Sequence, residues 1–476
     1  MIADLWTAQE VEAAVSGRRV GDWRVSGVSI DTRTLSPGDL FVALRDVRDG
    51  HDFVEPAFAA GAAACLVSRD VGQPGFISED VLEALVQLGT ASRRRMTGVC
   101  AAVTGSVGKT SVKEMIARIF RAHGRSHWSD KSFNNHWGVP LTLARMPRDT
   151  QRAIFEIGMS TPGEIAPRSH LVRPQIAMIT CIAPAHLEGL GSVDAVAIEK
   201  SDIFVGLEPD GTVILPERDP FFEIMRRRAL DLQPAAEVLT FGGDPGVHSA
   251  AVRDYTSDGT RSRISLEVMG TVVDTELLAV GEHWAGNAAL AVLASVASGI
   301  DASGAAQALA GYLPPPGRGT AETLRLATGD TITLVDDSYN ANPQSMRAAF
   351  SGLARRPGRK VAVLGEMREL GSESAEWHAG LADPLAAAGV SVVILSGGEM
   401  RHLADRLSVQ APAIEVRMTQ GPEEAATMTN SLLLSGDVVL IKGSNASGMG
   451  KVATILRAID KGVALNASSG RIADAL

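Results

Sequence analysis

At 476 residues the chain is too long for one hydrophobic core, so roughly two to four domains are expected. Its 45% apolar and 21% charged residues are ordinary for a soluble globular protein, and no apolar run is long enough to span a bilayer. A formal net charge of −10 argues against a broad nucleic-acid surface, and the N-terminus lacks a basic start leading into an apolar run, so a cytoplasmic protein without membrane insertion is expected.

Residues 1–97 read as a small α/β domain. Val25 to Ile30 and Leu40 to Leu44 are strand-like, with the turn Ser36 to Asp39 between them. Phe53 to Ala60 reads as helix and Ala64 to Val67 as another strand. Asp31, Thr32 and Arg33 leave the first strand together, and Asp49, Gly50 and His51 form a second polar cluster. Such clusters suit turn chemistry or a ligand pocket equally. Leu82 to Met96 reads as a helix that leads, through Arg93 to Arg95, into the next domain.

Residues 98–312 read as a nucleotide-binding domain with a mostly parallel sheet. Val99 to Thr104 is a short apolar strand, followed by a turn containing Gly105, Gly108, Lys109 and Thr110. Val112, Met115, Ile116, Ile119 and Phe120 then fall on one helix face, and Gly124 stands where a terminating glycine would. Val103 occupies the place of the first glycine in the full phosphate-loop pattern, leaving the short form Gly-x-x-Gly-Lys-Thr. Backbone N–H groups and the helix N-terminus make such a turn an anion site. Lys109 adds charge for terminal phosphates, and Thr110 offers a hydroxyl to magnesium. The alternative is a glycine turn with a solvated lysine.

Glu156 interrupts the apolar strand Ala153 to Ile157. A carboxylate there is costly unless it is paired, metal-bound or able to reach solvent from the strand end. The strand Ile176 to Ile182 runs into His186 and Glu188. Lys109, Glu156 and His186 thus share the carboxyl rim of one sheet, where open α/β sheets bind ligands. Lys200 lies on a helix, Val196 to Phe204, expected to pack behind the rim. Cys65, Cys100 and Cys181 sit in apolar runs without metal-ligand spacing and are expected to be small buried residues.

Residues 313–476 begin at a stiff hinge, Pro314 to Gly319. Strands at Thr331–Val335, Lys360–Leu364, Val392–Leu395 and Val438–Ile441, separated by helices, predict a doubly wound, Rossmann-like sheet. A loose tail is expected from Asn466.

These segments together resemble the Mur ligases, ATP-dependent enzymes that build the peptide of the bacterial cell-wall precursor. The resemblance spans nearly the whole chain: Asp31–Arg33, Ser36–Leu44, Asp49–Phe53, Thr104–Thr110, Asn134–Leu143, Glu156–Gly158, Gly163–Ile165, Ala185–Glu188, Gly191–Ser192, Lys200, Asp336–Pro343, Leu364–Met367, Glu369–Gly371 and Lys442–Ser444. Two places depart from the family pattern: Arg45-Asp46 stands for an expected Lys-Gly, and Gly450-Lys451 follows Met449 in place of an acidic pair.

The resemblance implies a three-domain α/β ligase that joins D-alanyl-D-alanine to UDP-N-acetylmuramoyl-tripeptide through an acyl phosphate. A family member adding the third amino acid is the alternative, and a regulatory ATPase is the reading from another class. The N-terminal domain would bind the UDP end, the central one ATP, and the third would close on ATP and take the dipeptide. Thr32, Arg33, Asp49, His51, Asn134 and Asn135 would serve the UDP substrate. Gly105, Ser106, Val107, Gly108, Lys109, Thr110, Ser111, His283, Asn287, Arg318, Asp337 and Asn340 would serve ATP. Lys109, Glu156, His186, Lys200 and Arg318 would be catalytic. Two magnesium ions would be held by Thr110, Glu156, His186 and, if carbamylated, Lys200, for which a simple salt bridge is the other reading. A monomer is implied, and the third peptide residue is left open between lysine and diaminopimelate.

Overall fold

The computed structural model describes residues 4–326 and 328–460, so the tail expected from Asn466 lies outside the described residues. Three large sheets organise them. In the first, strands Gly27–Ser29, Asp39–Val42, Ala64–Val67 and Gly75–Ile77 run parallel, and Arg18–Val20 joins antiparallel at the edge. The single strand expected from Val25 to Ile30 is two. Arg24–Val25 pairs with Trp6–Thr7, whereas Gly27–Ser29 belongs to the larger sheet. Ser26 divides them, its N–H donating to the Gly38 carbonyl at 3.0 Å.

The helix Val81–Arg95 starts where the Asp80 carboxylate accepts from the N–H groups of Leu82 and Glu83, at 2.8 and 3.0 Å. It lies against the helix Gly138–Ala144 so closely that a Cβ on Gly89 would come 3.1 Å from the Pro140 carbonyl. Arg93 donates to the Val172 and Arg173 carbonyls, both at 2.7 Å, so the basic helix end is tied down.

The central sheet has nine strands. The phosphate-loop strand Val99–Thr104 lies between Arg152–Glu156 and Ile176–Ile179, all parallel. Both faces are buried, which explains the unbroken apolar run. Ala101 and Val103 pack toward the helices Lys109–Ala122 and Glu282–Ala297, while Cys100 and Ala102 pack on the opposite side. Ile154 shares the first face and Phe155 the second. The period of two then aims Glu156 at the helix Lys109–Ala122. The strand expected to reach Ile182 stops at Ile179. Beyond it the backbone serves the phosphate loop, with the Cys181 carbonyl accepting from the Ser106 N–H at 2.9 Å. The helix carrying Lys200 spans Val193–Ser201 and tightens into a 3-10 turn, Asp202–Gly206.

The antiparallel strands Ala250–Ser257, Ser262–Val268 and Thr271–Leu277 extend this sheet, and no sequence expectation covered them. The third sheet is ordered Thr320–Arg325, Thr331–Asp337, Val438–Lys442, Lys360–Gly365, Val390–Ser396, Glu415–Thr419, parallel except for its first strand. Cys65 and Cys100 are buried as expected. Cys181 is only half-buried, because the chain at that point turns toward the cleft. No helix among the described residues is long and apolar enough to cross a membrane.

Candidate active site

The phosphate loop is built on backbone conformations that favour glycine. Gly105 and Gly108 have φ of 144° and 88°. A Cβ on Gly105 would fall 1.9 Å from the Thr180 hydroxyl, and one on Gly108 would come 3.0 Å from Asn287 Oδ1. The Ser106 hydroxyl donates to the Ala183 carbonyl at 3.0 Å, and Thr180 donates to the Val107 carbonyl. The loop is therefore clamped to the neighbouring strand end.

Lys109 opens the helix and folds its ammonium back onto the Gly105 carbonyl at 2.6 Å. Burial pulls its pKa below the ordinary lysine value, against the attraction of Glu156. The Thr110 hydroxyl donates to Glu156 Oε2 at 2.7 Å, and Asn134 Nδ2 donates to Oε1 at 2.7 Å. Glu156 is 1% exposed, and these two partners satisfy it. Thr110 also lies 3.3 Å from the Ser132 hydroxyl, which accepts from Arg318 at 3.0 Å. The Arg318 guanidinium stacks 3.9 Å from the centre of the Tyr339 ring.

A cleft of about 910 Å³ joins these groups to the third sheet. It is bordered by the whole loop from Ser106 to Ser111, by Asn134, Asn135, Glu156 and His186, by His283 and Asn287 from one helix, and by Arg318, Asp337 and Asn340. Lys442, which the sequence reading gave no role, donates to Asp337 at 2.7 Å and to the Asn340 carbonyl at 3.1 Å. Burial raises the Asp337 pKa, and Lys442 opposes that rise. Glu369 reaches across the cleft to His186 Nδ1, which holds its carboxyl below the usual range. Both residues have positive φ, 58° and 63°.

The other expected residues are arranged differently. Lys200 is 1% exposed, does not border the cleft, and has no ion pair among the described residues. Burial, then the charge of Lys109, drives its pKa well below the usual lysine value. Thr32, Arg33, Asp49 and His51 lie away from the cleft lining. Arg33 pairs with Asp31 at 2.6 Å and draws its carboxyl down to about 2. Asp49 accepts from the His51 N–H at 3.0 Å and lies 2.6 Å from its Nδ1, and it pairs with Arg45 at 2.9 Å. His51 Nε2 accepts from the Ser68 N–H at 2.9 Å. Arg45, which stands where the pattern has lysine, is thus part of a local turn. Asn134 and Asn135 border the cleft itself, and Asn135 Oδ1 accepts from the Gly138 N–H at 2.8 Å.

Lys113 and Ser132 were not anticipated either. Lys113 is fully buried and donates to the carbonyls of Ser129 and Lys131 at 2.6 and 2.8 Å, fixing the segment that carries Ser132. Its only sequence signal is a charge adjoining the apolar helix face.

Three lobes meeting at a phosphate loop, with an arginine from the hinge, can bring an anionic nucleophile to a nucleoside triphosphate. Family models match in three pieces along the chain, the first two overlapping: the Mur ligase family catalytic domain over residues 24–122, the Mur ligase middle domain over 103–295, and the Mur ligase glutamate ligase domain over 322–445. The chain is 34% identical over 464 residues to UDP-N-acetylmuramoyl-tripeptide–D-alanyl-D-alanine ligase of Escherichia coli, covering 95% of this chain and 98% of the relative. The chain belongs to the Mur ligase family. Among solved structures, MurF from Acinetobacter baumannii matches with a TM-score of 0.82 and 27% identity over 95% of this chain and 99% of that one. MurF ligase from Thermotoga maritima, in complex with ADP, matches in fold with a TM-score of 0.76 and 23% identity over 92% and 98%. The three-domain α/β architecture of this Mur ligase is therefore that of its relatives.

Proposed function

We propose that this Mur ligase joins D-alanyl-D-alanine to UDP-N-acetylmuramoyl-tripeptide in peptidoglycan precursor synthesis, with ATP cleaved to ADP and phosphate. The curated relative that matches nearly end to end carries that activity in its name. The observation that carries the chemistry is the convergence of Lys109, the Thr110–Glu156 pair and hinge Arg318 on one cleft. In this reading residues 1–97 hold the UDP end, 98–312 hold ATP, and 313–476 close over it and take the dipeptide. The enzyme acts as a cytoplasmic monomer.

The tripeptide carboxylate attacks the γ-phosphorus, giving an acyl phosphate and ADP. The dipeptide amine then attacks the acyl carbon and phosphate leaves. The first step brings like charges together. Two unit charges about 4 Å apart repel by about 4 kcal/mol at an effective dielectric of ~20. One lysine cannot offset several such charges, so Lys109 and Arg318 act together from two sides. Arg318 lies in the hinge, so closure and phosphoryl transfer are coupled, and closure also keeps water from the acyl phosphate.

The oxygens of Thr110 and Glu156, 2.7 Å apart, suit magnesium, which takes few protein ligands and completes its shell with water and phosphate. When bound, the ion would neutralise charge on the phosphates. His186 gives Nδ1 to Glu369, so Nε2 is the nitrogen that would meet such an ion, with the carboxylate orienting the ring. Lys200, buried and favoured as a neutral amine, has the character needed for carbamate formation.

The test is ADP release by the purified protein given ATP, magnesium and both substrates. Release that requires both the tripeptide nucleotide and D-alanyl-D-alanine supports the reading. Release with a free amino acid as acceptor points to another family reaction, and release without any acceptor points to a regulatory ATPase.

A further inference from the structure

The turn from Glu366 to Gly371 follows the strand Lys360–Gly365 of the third lobe and is firmly held. The Glu366 carbonyl accepts from the Ser444 N–H at 3.0 Å, and the Glu366 carboxylate accepts from the Glu399 N–H at 2.9 Å. The Met367 N–H donates at 3.0 Å to Nε2 of His378, a fully buried ring whose Nδ1 donates to the Ser374 carbonyl at 2.7 Å. Met367 and Leu370 are buried in the core of this lobe. Glu369 stands between them, exposed at the edge of the cleft.

Glu369 meets the central lobe through both side chain and backbone. Its carboxylate faces His186 Nδ1, and its carbonyl accepts from the Leu187 N–H at 2.9 Å. Nδ1 is thereby the protonated nitrogen of the ring, and Nε2 has no partner among the described residues. Both backbones are left-handed, with φ of 58° at His186 and 63° at Glu369. A residue with a Cβ takes that conformation at a cost in energy, and such strain collects where geometry serves function. Two strained residues thus face each other across a lobe boundary, both on the rim of the reaction cleft.

We propose that Glu369 is a positioning residue for the ligation, which sets the His186 ring for the reacting groups only while the third lobe is shut. The inference rests on the ligase reading above. A free imidazole carries its proton on either nitrogen and turns about its side-chain bonds. A carboxylate fixed on Nδ1 removes both freedoms and makes Nε2 the stronger lone-pair donor. Because that carboxylate belongs to the other lobe, the ring is set on closure and released on opening, so an open enzyme holds no finished site. Glu369 does this without being needed to hold the lobes together. The Leu187 N–H meets a backbone carbonyl, Arg318 donates to Ser132 at 3.0 Å, and Arg356 donates to the Gly259 carbonyl at 2.8 Å. None of these contacts uses the carboxylate.

The experiment compares Glu369→Ala, Glu369→Gly and Glu369→Gln with wild type. The alanine and glycine variants are expected to lose about 10–100-fold in kcat, with little change in KM for any substrate. Glutamine, whose amide oxygen still accepts from Nδ1, is expected to recover most of that loss. Stability is expected to follow the backbone instead: glycine relieves the left-handed strain, so Glu369→Gly melts above Glu369→Ala in metal-free protein. A kcat that tracks the melt, with glycine well above alanine, makes the residue merely structural and overturns the inference. Magnetic resonance of protein labelled at its histidine ring nitrogens, at alkaline pH and with His186→Gln identifying the signal, reads the tautomer. Wild type bound to a non-hydrolysable ATP analogue and the tripeptide nucleotide is expected to show Nδ1–H, and Glu369→Ala to lose that preference. Small-angle scattering of the same complexes is expected to give the same radius of gyration for wild type and variants. A larger radius in the variants makes Glu369 a clasp between lobes and overturns the inference, as does an unchanged kcat or tautomer. All of these outcomes leave the ligase reading intact, whereas wild type that fails to ligate overturns both.

Discussion

Two polar regions of this Mur ligase look alike as sequence and are used in opposite ways. At the central strand ends, Lys109, Thr110, Glu156 and Arg318 come from separate segments and face one shared cavity. In the N-terminal lobe, Asp49, His51, Arg45 and Ser68 turn toward one another and complete a turn. The difference is one of topology. Parallel strands deliver their carboxyl ends to a common rim, where polar groups cannot satisfy themselves locally, whereas a short polar turn closes on its own hydrogen bonds.

The sharpest way to break this comparison is Lys109→Ala, expected to lower turnover by about 10³-fold or more while the thermal melt stays near wild type. Activity close to wild type would remove the phosphate loop from the mechanism. Arg318→Ala is expected to cost about 10²-fold in kcat, with a smaller change in ATP affinity, since it loses charge at the transferring phosphoryl group. An effect confined to KM for ATP would make it a binding residue only.

Lys200→Met tests the buried amine behind the rim. Its pKa in the folded protein lies well below the ordinary 10.5, so between those two values the unfolded chain binds a proton that the folded chain does not. The contribution of this lysine to stability therefore rises with pH until about 10.5. The variant is expected to be more stable than wild type at pH 7 in bicarbonate-free buffer, with the gain fading toward alkaline pH. Denaturant melts across pH measure this. Bicarbonate that stabilises the wild type and not the variant would show carbamate formation. The smallest catalytic effect is expected from His51→Ala, which removes a buried ring and costs about 1–3 kcal/mol of stability with little change in KM for the UDP substrate. A large rise in that KM would return His51 to the substrate site.

Much of this site was legible in the residues. The strands before the phosphate loop and before Glu156 are buried on both faces, so they stand out as apolar runs. Glu156 stood out for the same reason, as a carboxylate where burial is costly. The strands from Ala250 to Leu277 left no such mark. Their pattern alternates because one face meets solvent, and only pairing to their neighbours identifies them. Lys113 and Ser132 were missed because a lone lysine or serine carries no pattern, whereas Lys442 stood in a recognised motif and showed its role only in the Asp337 carboxylate it meets.

Local chemistry alone determined the glycine turn, the helix behind it and the hinge prolines, since these depend on near neighbours and on what a buried backbone tolerates. Which charges would meet was decided by the packed chain. Glu156 finds Thr110 through the order of parallel strands, Arg318 reaches Ser132 through the path of the hinge, and Lys200 is buried where it feels the charge of Lys109. Such encounters join residues far apart in sequence, and burial, which sets how strongly each charge is felt, exists only once the layers have closed.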